Sequence, residues 1–109
     1  MTENELVDGI AVHIQSEDGR AVLTLVGELD LVSAPRLRSE IGALRSDDIE
    51  EVVVDLCGLT YIDSVGIGLL VATRRRLDAE GRKFCVRNPT PQVLRLLEIT
   101  GLVEYLGLR

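Results

Sequence analysis

A strand, a loop and a helix meet at residues 61–68, and this corner constrains the fold more than any other stretch. The β-branched run 52–54 precedes it, and the largely apolar run 69–77 follows it. Asp63 and Ser64 stand where a helix N-cap belongs, because such side chains accept hydrogen bonds from the free N–H groups of a first turn. A hydroxyl at this position is also a favourable place for a phosphate, since the helix dipole and those N–H groups attract negative charge.

Two glycines, Gly66 and Gly68, fall within the first turns of this predicted helix. Each costs about 1 kcal/mol of helix stability relative to alanine. They therefore indicate one of two needs: tight packing of the helix on the sheet, or a surface that another molecule approaches closely.

Alternating strands and helices are predicted along the rest of the chain. Asp18-Gly19 is a strong hairpin signal between the first two strands. Ser33 and Thr90 are expected as helix N-caps. The predicted strands are 10–15, 21–27, 51–56 and 83–87, and the predicted helices begin near residues 33, 64 and 91. The second strand is apolar on both faces, so we expect it to be central and covered on each side.

This order predicts an α/β fold: a small mixed four-stranded β-sheet with about three to five α-helices packed on it. The expected interior includes Val12, Leu23, Leu25, Val53 and Leu69. The length of 109 residues suits a single domain, residues 1–109, in which residues 1–8 are expected to be loosely ordered.

Charge and composition exclude several classes of function. The net charge of −6 argues against a general nucleic-acid binder, which needs a basic face. The sequence has no apolar run long enough to span a membrane. Its N-terminus is acidic and lacks the basic and apolar regions of a secretory signal, so we do not expect one. We therefore expect a cytoplasmic protein.

No metal or cofactor site is predicted. Cys57, Cys85 and His13 are the only cysteine and histidine residues, whereas a structural zinc site takes about four ligands. The cysteines are expected as reduced thiols, buried or half-buried, and His13 as solvated or locally hydrogen-bonded.

Polar side chains follow two strands that are expected to be neighbours: Glu28 and Asp30 after the second strand, Asp63 and Ser64 after the third. The loops at the carboxyl ends of parallel strands are the usual functional edge of such a sheet. A serine nucleophile needs a base, and the loops contain no histidine. A hydrolase using Asp30 and Asp63 would need a deep pocket, for which 3% aromatic residues offer little. We expect no catalytic residues and no enzyme activity.

Four blocks of sequence carry a resemblance to a known family. The block 63–68, Asp-Ser-Val-Gly-Ile-Gly, resembles the Asp-Ser-x-Gly-Leu/Ile-Gly motif of anti-sigma factor antagonists, the bacterial STAS domains. Gly27-Glu28-Leu29-Asp30, followed by Ala34, Pro35 and Leu37, is similar to their second-strand block. Residues 54–56 and 97–102 match two further blocks, and the resemblance covers about residues 10–108.

The resemblance implies a partner switch. Such proteins bind an anti-sigma factor that is also a serine kinase, release the sigma factor, and are inactivated when the kinase phosphorylates the serine of the motif; a serine phosphatase resets them. Carried over by position, the acceptor is Ser64. Several relatives have a second serine where this chain has Val65. The implied partner-binding residues are Glu28, Asp30, Asp63, Ser64, Val65, Gly66 and Gly68. We expect a monomer when the protein is free.

Other interpretations of the same residues remain open. Ser64 and Asp63 could be simple capping residues, and Asp30 could only stabilise a turn. STAS domains also occur as subunits of stress-signalling scaffolds and lipid-transport complexes without a phosphoserine cycle. Weak nucleotide binding is a third possibility, but the sequence has no motif for it.

Overall fold

The structure of the protein is a computed structural model that describes residues 5–108. Within them, strands and helices follow the predicted order. The strands are β1 (Ile10–Glu17), β2 (Arg20–Leu29), β3 (Glu51–Ile62) and β4 (Lys83–Arg87). The helices are α1 (Ala34–Gly42), α2 (Ser64–Ala79) and α3 (Pro91–Ile99). Three helices lie within the expected range.

The strands form one mixed sheet in the order β1-β2-β3-β4. β1 and β2 are an antiparallel hairpin, whereas β2 with β3 and β3 with β4 are parallel. Asp18 and Gly19 at the hairpin turn both have positive φ, 52° and 78°, as a two-residue type I′ turn requires. The predicted α/β fold with a mixed four-stranded sheet is confirmed.

The core lies on one face of the sheet, where side chains from all three helices meet the strands. Leu23 and Val54 on neighbouring strands belong to it, as do Leu37 of α1, Leu70 of α2 and Leu97 of α3. The five residues predicted to be inside are all buried: Val12, Leu23, Leu25, Val53 and Leu69.

The expectation that β2 is covered on both faces is wrong. Its alternate residues Leu23 and Leu25 are fully buried under the helices, but Val26 on the opposite face is 46% exposed, and Val22 and Thr24 are only half-buried. The helices contribute their apolar side chains to one cluster on one face, so the second face of the strand is left without a helical cover.

β3 is six residues longer than predicted, because two irregularities let it continue past Leu56. Its register with β2 shifts between Thr24 and Val26 and again between Gly27 and Glu28. Gly58 lies where a Cβ would come within 2.8 Å of the Leu25 carbonyl oxygen. A glycine is therefore needed at that crossing, and it marks a bulge rather than the end of the strand.

Asp55 supports this bulge from the open face of the sheet. Its Oδ1 accepts a hydrogen bond of 3.0 Å from the Cys57 N–H. Its Oδ2 accepts from Arg87 Nε at 3.0 Å and from Asn88 Nδ2 at 3.2 Å. Burial alone would raise the pKa of the Asp55 carboxyl, but the Cys57 N–H and the Arg87 guanidinium outweigh it and hold that pKa below its ordinary value.

The two cysteines differ from expectation in one respect. Both are thiols outside any disulfide, and Cys85 is buried, but Cys57 is exposed rather than buried or half-buried, because it lies on the outer side of the bulge. The neighbouring Asp55 carboxylate, by hydrogen bonding and by its charge, together with partial burial raises the pKa of the Cys57 thiol.

Both ends of the described chain are attached to the sheet. Val7 forms a β-bridge with Ile10 at the start of β1, and residues 1–4, the first half of the segment expected to be loosely ordered, lie outside the described residues. At the other end the Val86 N–H of β4 donates to the Leu106 carbonyl, while Leu106 continues a turn that begins at Leu102. The tail thus covers the edge of β4.

Candidate functional site

Two parallel strands end side by side at the edge of the sheet where the polar residues were predicted. Glu28 pairs with Tyr61 and Leu29 with Ile62 in the register of β2 and β3. The chain leaves β2 through a turn into α1 and leaves β3 directly into α2. Residues 28–33, the end of β2 and the turn after it, are called the 28–33 turn. We call the surface formed by the 28–33 turn and the start of α2 the corner surface.

Asp63 is the N-cap of α2 and holds its first turn. Its Oδ1 accepts a hydrogen bond of 2.9 Å from the Gly66 N–H, and its backbone N–H donates to the Leu29 carbonyl at 3.2 Å. Its Oδ2 accepts from the Leu31 N–H at 3.2 Å. One carboxylate therefore caps a helix and joins the two loops, which confirms the predicted cap and adds a link that the sequence did not reveal.

Ser64 is the first residue of α2, not its cap, and its side chain is exposed. Among the described residues none donates to or accepts from its hydroxyl. Since Asp63 performs the capping, the simple N-cap interpretation of Ser64 does not hold. The hydroxyl is free to react or to contact another molecule.

Asp30 stabilises the turn that leads into α1. Its Oδ1 accepts from the N–H groups of Val32 and Ser33, each at 3.0 Å. Ser33 occupies the N-cap position of α1, but its hydroxyl makes no capping bond: it donates to the Glu28 carbonyl at 2.8 Å and accepts from the Asp30 N–H at 2.9 Å. The turn is therefore rigid, while the Glu28 side chain is exposed.

Thr90 also departs from its predicted role as a cap. It occupies the N-cap position of α3, but its hydroxyl donates to the Leu59 carbonyl at 2.9 Å. The bond fastens the start of α3 to β3 instead.

Gly66 and Gly68 have different surroundings. A Cβ on Gly66 would lie 2.6 Å from the Leu29 carbonyl oxygen and 2.8 Å from Ile62 Cγ1, so Gly66 is required for packing of α2 on the sheet. Gly66 is buried, and its direct contact with a partner remains a prediction. A Cβ on Gly68 would meet nothing within 4 Å. Of the two predicted explanations, tight packing of the helix on the sheet applies to Gly66. Gly68 lies on the open surface.

Exposed apolar side chains share the corner surface with Ser64, and sequence reasoning missed two of them, Leu31 and Val32. Leu31 and Val32 project from the 28–33 turn, and Val65 follows Ser64. The sequence did contain an indication of these side chains, because two apolar residues, Leu31 and Val32, lie between Asp30 and Ser33 in a predicted loop. Apolar side chains exposed together on one edge are typical of a surface that binds another protein.

The described residues contain no group of three or more histidine, cysteine, aspartate or glutamate side chains placed to hold a metal ion. In the same part of the chain no helix has the length and apolar character needed to cross a membrane. The corner surface offers an unpartnered hydroxyl, carboxylates and apolar side chains, a composition suited to protein binding and to modification of the hydroxyl.

Comparison with known proteins agrees with this geometry. An anti-sigma-B factor antagonist of Staphylococcus aureus is 32% identical over 80 residues, which cover 73% of this chain and 74% of that protein. The crystal structure of an anti-sigma factor antagonist from Mycobacterium paratuberculosis is 34% identical, with a TM-score of 0.81 over 93% of this chain and 86% of that one. The Bacillus cell fate determinant SpoIIAA in its phosphorylated form shares the fold, at 24% identity and a TM-score of 0.71 over 91% of each chain.

The relatives from Staphylococcus and Mycobacterium are both named anti-sigma factor antagonists, and their similarity extends over most of the described fold. The family model of the STAS domain matches residues 11–109, which include β2, β3, α2 and the whole corner surface. The chain therefore belongs to the STAS domain family, among relatives that are anti-sigma factor antagonists.

Proposed function

We propose that this protein is an anti-sigma factor antagonist controlled by phosphorylation of Ser64. Its unphosphorylated form binds, through the corner surface, a cognate anti-sigma factor that is also a serine kinase, and the sigma factor is thereby released. Phosphorylation of Ser64 by that kinase ends the interaction, and a serine phosphatase restores it. The cycle takes place in the cytoplasm.

The observation that carries the proposal is the exposed, unpartnered Ser64 hydroxyl beside a helix cap that does not depend on it. In the transfer step the Ser64 oxygen forms a bond to the γ-phosphorus of ATP, ADP leaves, and a base of the kinase takes the hydroxyl proton. The reaction needs no residue of this chain other than the acceptor. Its relatives from Staphylococcus and Mycobacterium, which are named anti-sigma factor antagonists, support the same assignment.

Electrostatics explain why the phosphorylated form should not bind. A phosphate adds about −1.5 to −2 charges at neutral pH. The start of α2 can hold it, because first-turn N–H groups and the helix dipole favour an anion. We therefore expect the fold to tolerate the modification; a protein of the same fold adopts it in a phosphorylated form. At an interface, however, a dianion beside Asp63, on a chain of net charge −6, must be desolvated and repels any nearby carboxylate of the partner.

Transfer of phosphate tests the proposal. The protein is incubated with ATP and purified kinases of the anti-sigma factor class from its own organism, and the modified residue is located by mass spectrometry. The proposal predicts one phosphate, on Ser64, and none on Ser64→Ala. Stable binding of an anti-sigma factor or a larger complex without transfer would instead indicate a scaffold subunit without a phosphoserine cycle.

A further inference from the structure

A second exposed apolar feature lies beside the corner surface, between the end of β3 and α3. It is a cleft of about 130 Å³ lined by Thr60, Tyr61, Ile62, Gln92, Val93 and Leu96. We call it the Tyr61–Leu96 cleft. Tyr61 is 49% exposed, and Ile99, one turn beyond Leu96, is 70% exposed. Apolar side chains of this size at the surface need an explanation when they adjoin one another.

The exposed side chains on α3 are not a by-product of its packing. Val93 and Leu97 already bury the inner face of α3 in the core. Gln92, Leu96 and Ile99 follow one another at the spacing i, i+4, i+7, so they form a separate exposed stripe that flanks the buried face. The Thr90 bond to the Leu59 carbonyl fixes the start of α3 against β3. The cleft is therefore formed before any partner arrives.

The cleft is continuous with the corner surface. Tyr61 is the register partner of Glu28, which belongs to the 28–33 turn. Ser64 is three residues beyond Tyr61, a separation of at most about 11 Å along an extended chain. An interface of ordinary size, about 800 Å² per partner, is therefore large enough to cover both Ser64 and the cleft.

Size and charge define what the cleft accepts. An apolar cavity of about 150 Å³ is known to hold a single benzene ring, so 130 Å³ suits one large aliphatic or aromatic side chain. On α3 the exposed Arg95 and Glu98 are of opposite charge and balance each other. The exposed Glu28 carboxylate, on the register partner of Tyr61, adds a negative charge beside the cleft, and it attracts a cation.

We propose that the Tyr61–Leu96 cleft is a second contact for the anti-sigma kinase. It receives one apolar side chain of that kinase, on a segment that presents a lysine or arginine to Glu28. This inference rests on the function proposed above and adds an anchor that Ser64 and its neighbours do not provide. Buried apolar anchors of this kind carry most of the free energy at protein interfaces.

The test uses two variants on the exposed stripe of α3, with the kinase that transfers phosphate to Ser64: Leu96→Gln, which lines the cleft, and Ile99→Gln, one turn beyond it. These two are called the cleft variants below. Tyr105→Gln is the matched control: Tyr105 is 36% exposed, close to the 37% of Leu96. It stacks with Arg74, ten residues and about 15 Å beyond Ser64 along α2. Urea unfolding of each variant confirms that the fold is retained, and calorimetry measures the Kd of each variant for the kinase.

We expect Leu96→Gln and Ile99→Gln to raise the Kd about tenfold or more, and Tyr105→Gln to leave it within about twofold. If both cleft variants bind like the wild type while Ser64→Asp binds weakly, the inference is wrong and the proposed function stands. If no kinase modifies Ser64, both fail. If the cleft variants separate a dimer of this chain without changing kinase affinity, the cleft binds a second copy instead, and the inference is overturned.

Discussion

The Leu31 N–H donates a hydrogen bond of 3.2 Å to Oδ2 of Asp63, across 32 residues of sequence. Since Oδ1 of the same carboxylate caps α2 at Gly66, the turn after β2 and the helix after β3 are fixed to each other. The surface around Ser64 is thus held in place by its neighbour Asp63, and the exposed Ser64 hydroxyl takes no part in holding it.

Asp63→Ala removes both of these hydrogen bonds. The loss of an N-cap costs about 0.5–2 kcal/mol, and the uncapped turn should cost this protein a similar amount of its free energy of unfolding. Asp63→Asn keeps an acceptor oxygen for Gly66 and should lose less. Urea unfolding of the two variants measures the difference. Equal destabilisation would show that the charge of Asp63, and not its hydrogen bonding, matters for stability.

Gly66→Ala and Gly68→Ala should have opposite effects on stability. The new Cβ at residue 66 would lie 2.6 Å from the Leu29 carbonyl oxygen, and overpacking of this kind costs about 1–3 kcal/mol. At residue 68 the space is open, so alanine should stabilise the helix by up to about 1 kcal/mol. Thermal and urea unfolding check both. A destabilised Gly68→Ala variant would contradict the geometry described for this turn.

Asp55 should contribute stability that depends on pH. Its pKa in the folded protein lies below the value of about 3.9 in an unfolded chain. The contribution is therefore complete above that unfolded pKa and is lost as the pH falls through the folded pKa. Asp55→Asn retains an acceptor for the Cys57 N–H but cannot lose a charge. The difference in unfolding free energy between wild type and variant should shrink on acidification below about pH 4; a difference independent of pH would exclude this role.

The two thiols should react at very different rates. Cys57 is exposed, but its raised pKa lowers the thiolate fraction at neutral pH, so iodoacetamide should modify it more slowly than a free cysteine. Cys85 is buried and should be modified only on unfolding. Mass spectrometry over time gives both rates. Labelling of Cys85 in the folded protein, or rapid labelling of Cys57, would contradict the environments described for them.

Local signals in the sequence predicted the parts of the fold that depend on local chemistry. Asp18-Gly19 specifies its hairpin through backbone conformation, and Pro91 begins α3 as expected. The longer β3 was not predicted, because Gly58 reads as a strand break unless its close approach to the Leu25 carbonyl is known. That close approach depends on how β3 pairs with the neighbouring β2, and the local sequence around Gly58 does not indicate this pairing.

The candidate site was predicted only in part, because some of its features also depend on contacts between distant parts of the chain. Asp63 and Ser64 were assigned to the start of a helix, and the structure separates their roles into cap and exposed hydroxyl. The sequence alone does not distinguish the two glycines at the start of α2. Only packing against Leu29 distinguishes Gly66 from Gly68. The contact between Leu31 and Asp63 joins distant residues, so no local pattern in the sequence indicated it.

The central claim is that the charge on residue 64 controls binding. Ser64→Ala removes the acceptor and adds no charge, so it should bind the anti-sigma kinase as the unmodified protein does, and ATP should not release it. Ser64→Asp places a carboxylate next to Asp63 on an exposed helix start, so it should fold normally and bind weakly. Phosphorylation should weaken binding further, because a phosphate carries about −1.5 to −2 charges. A loss of about 3 kcal/mol in binding free energy would raise the Kd more than a hundredfold.

Calorimetric titration of Ser64→Ala and Ser64→Asp against that kinase tests the claim most directly. Urea unfolding of both variants first establishes that each is folded. The charge mechanism predicts an affinity for Ser64→Ala close to that of the wild type, and a much weaker one for Ser64→Asp. Equal affinities of the two variants for the kinase would contradict it.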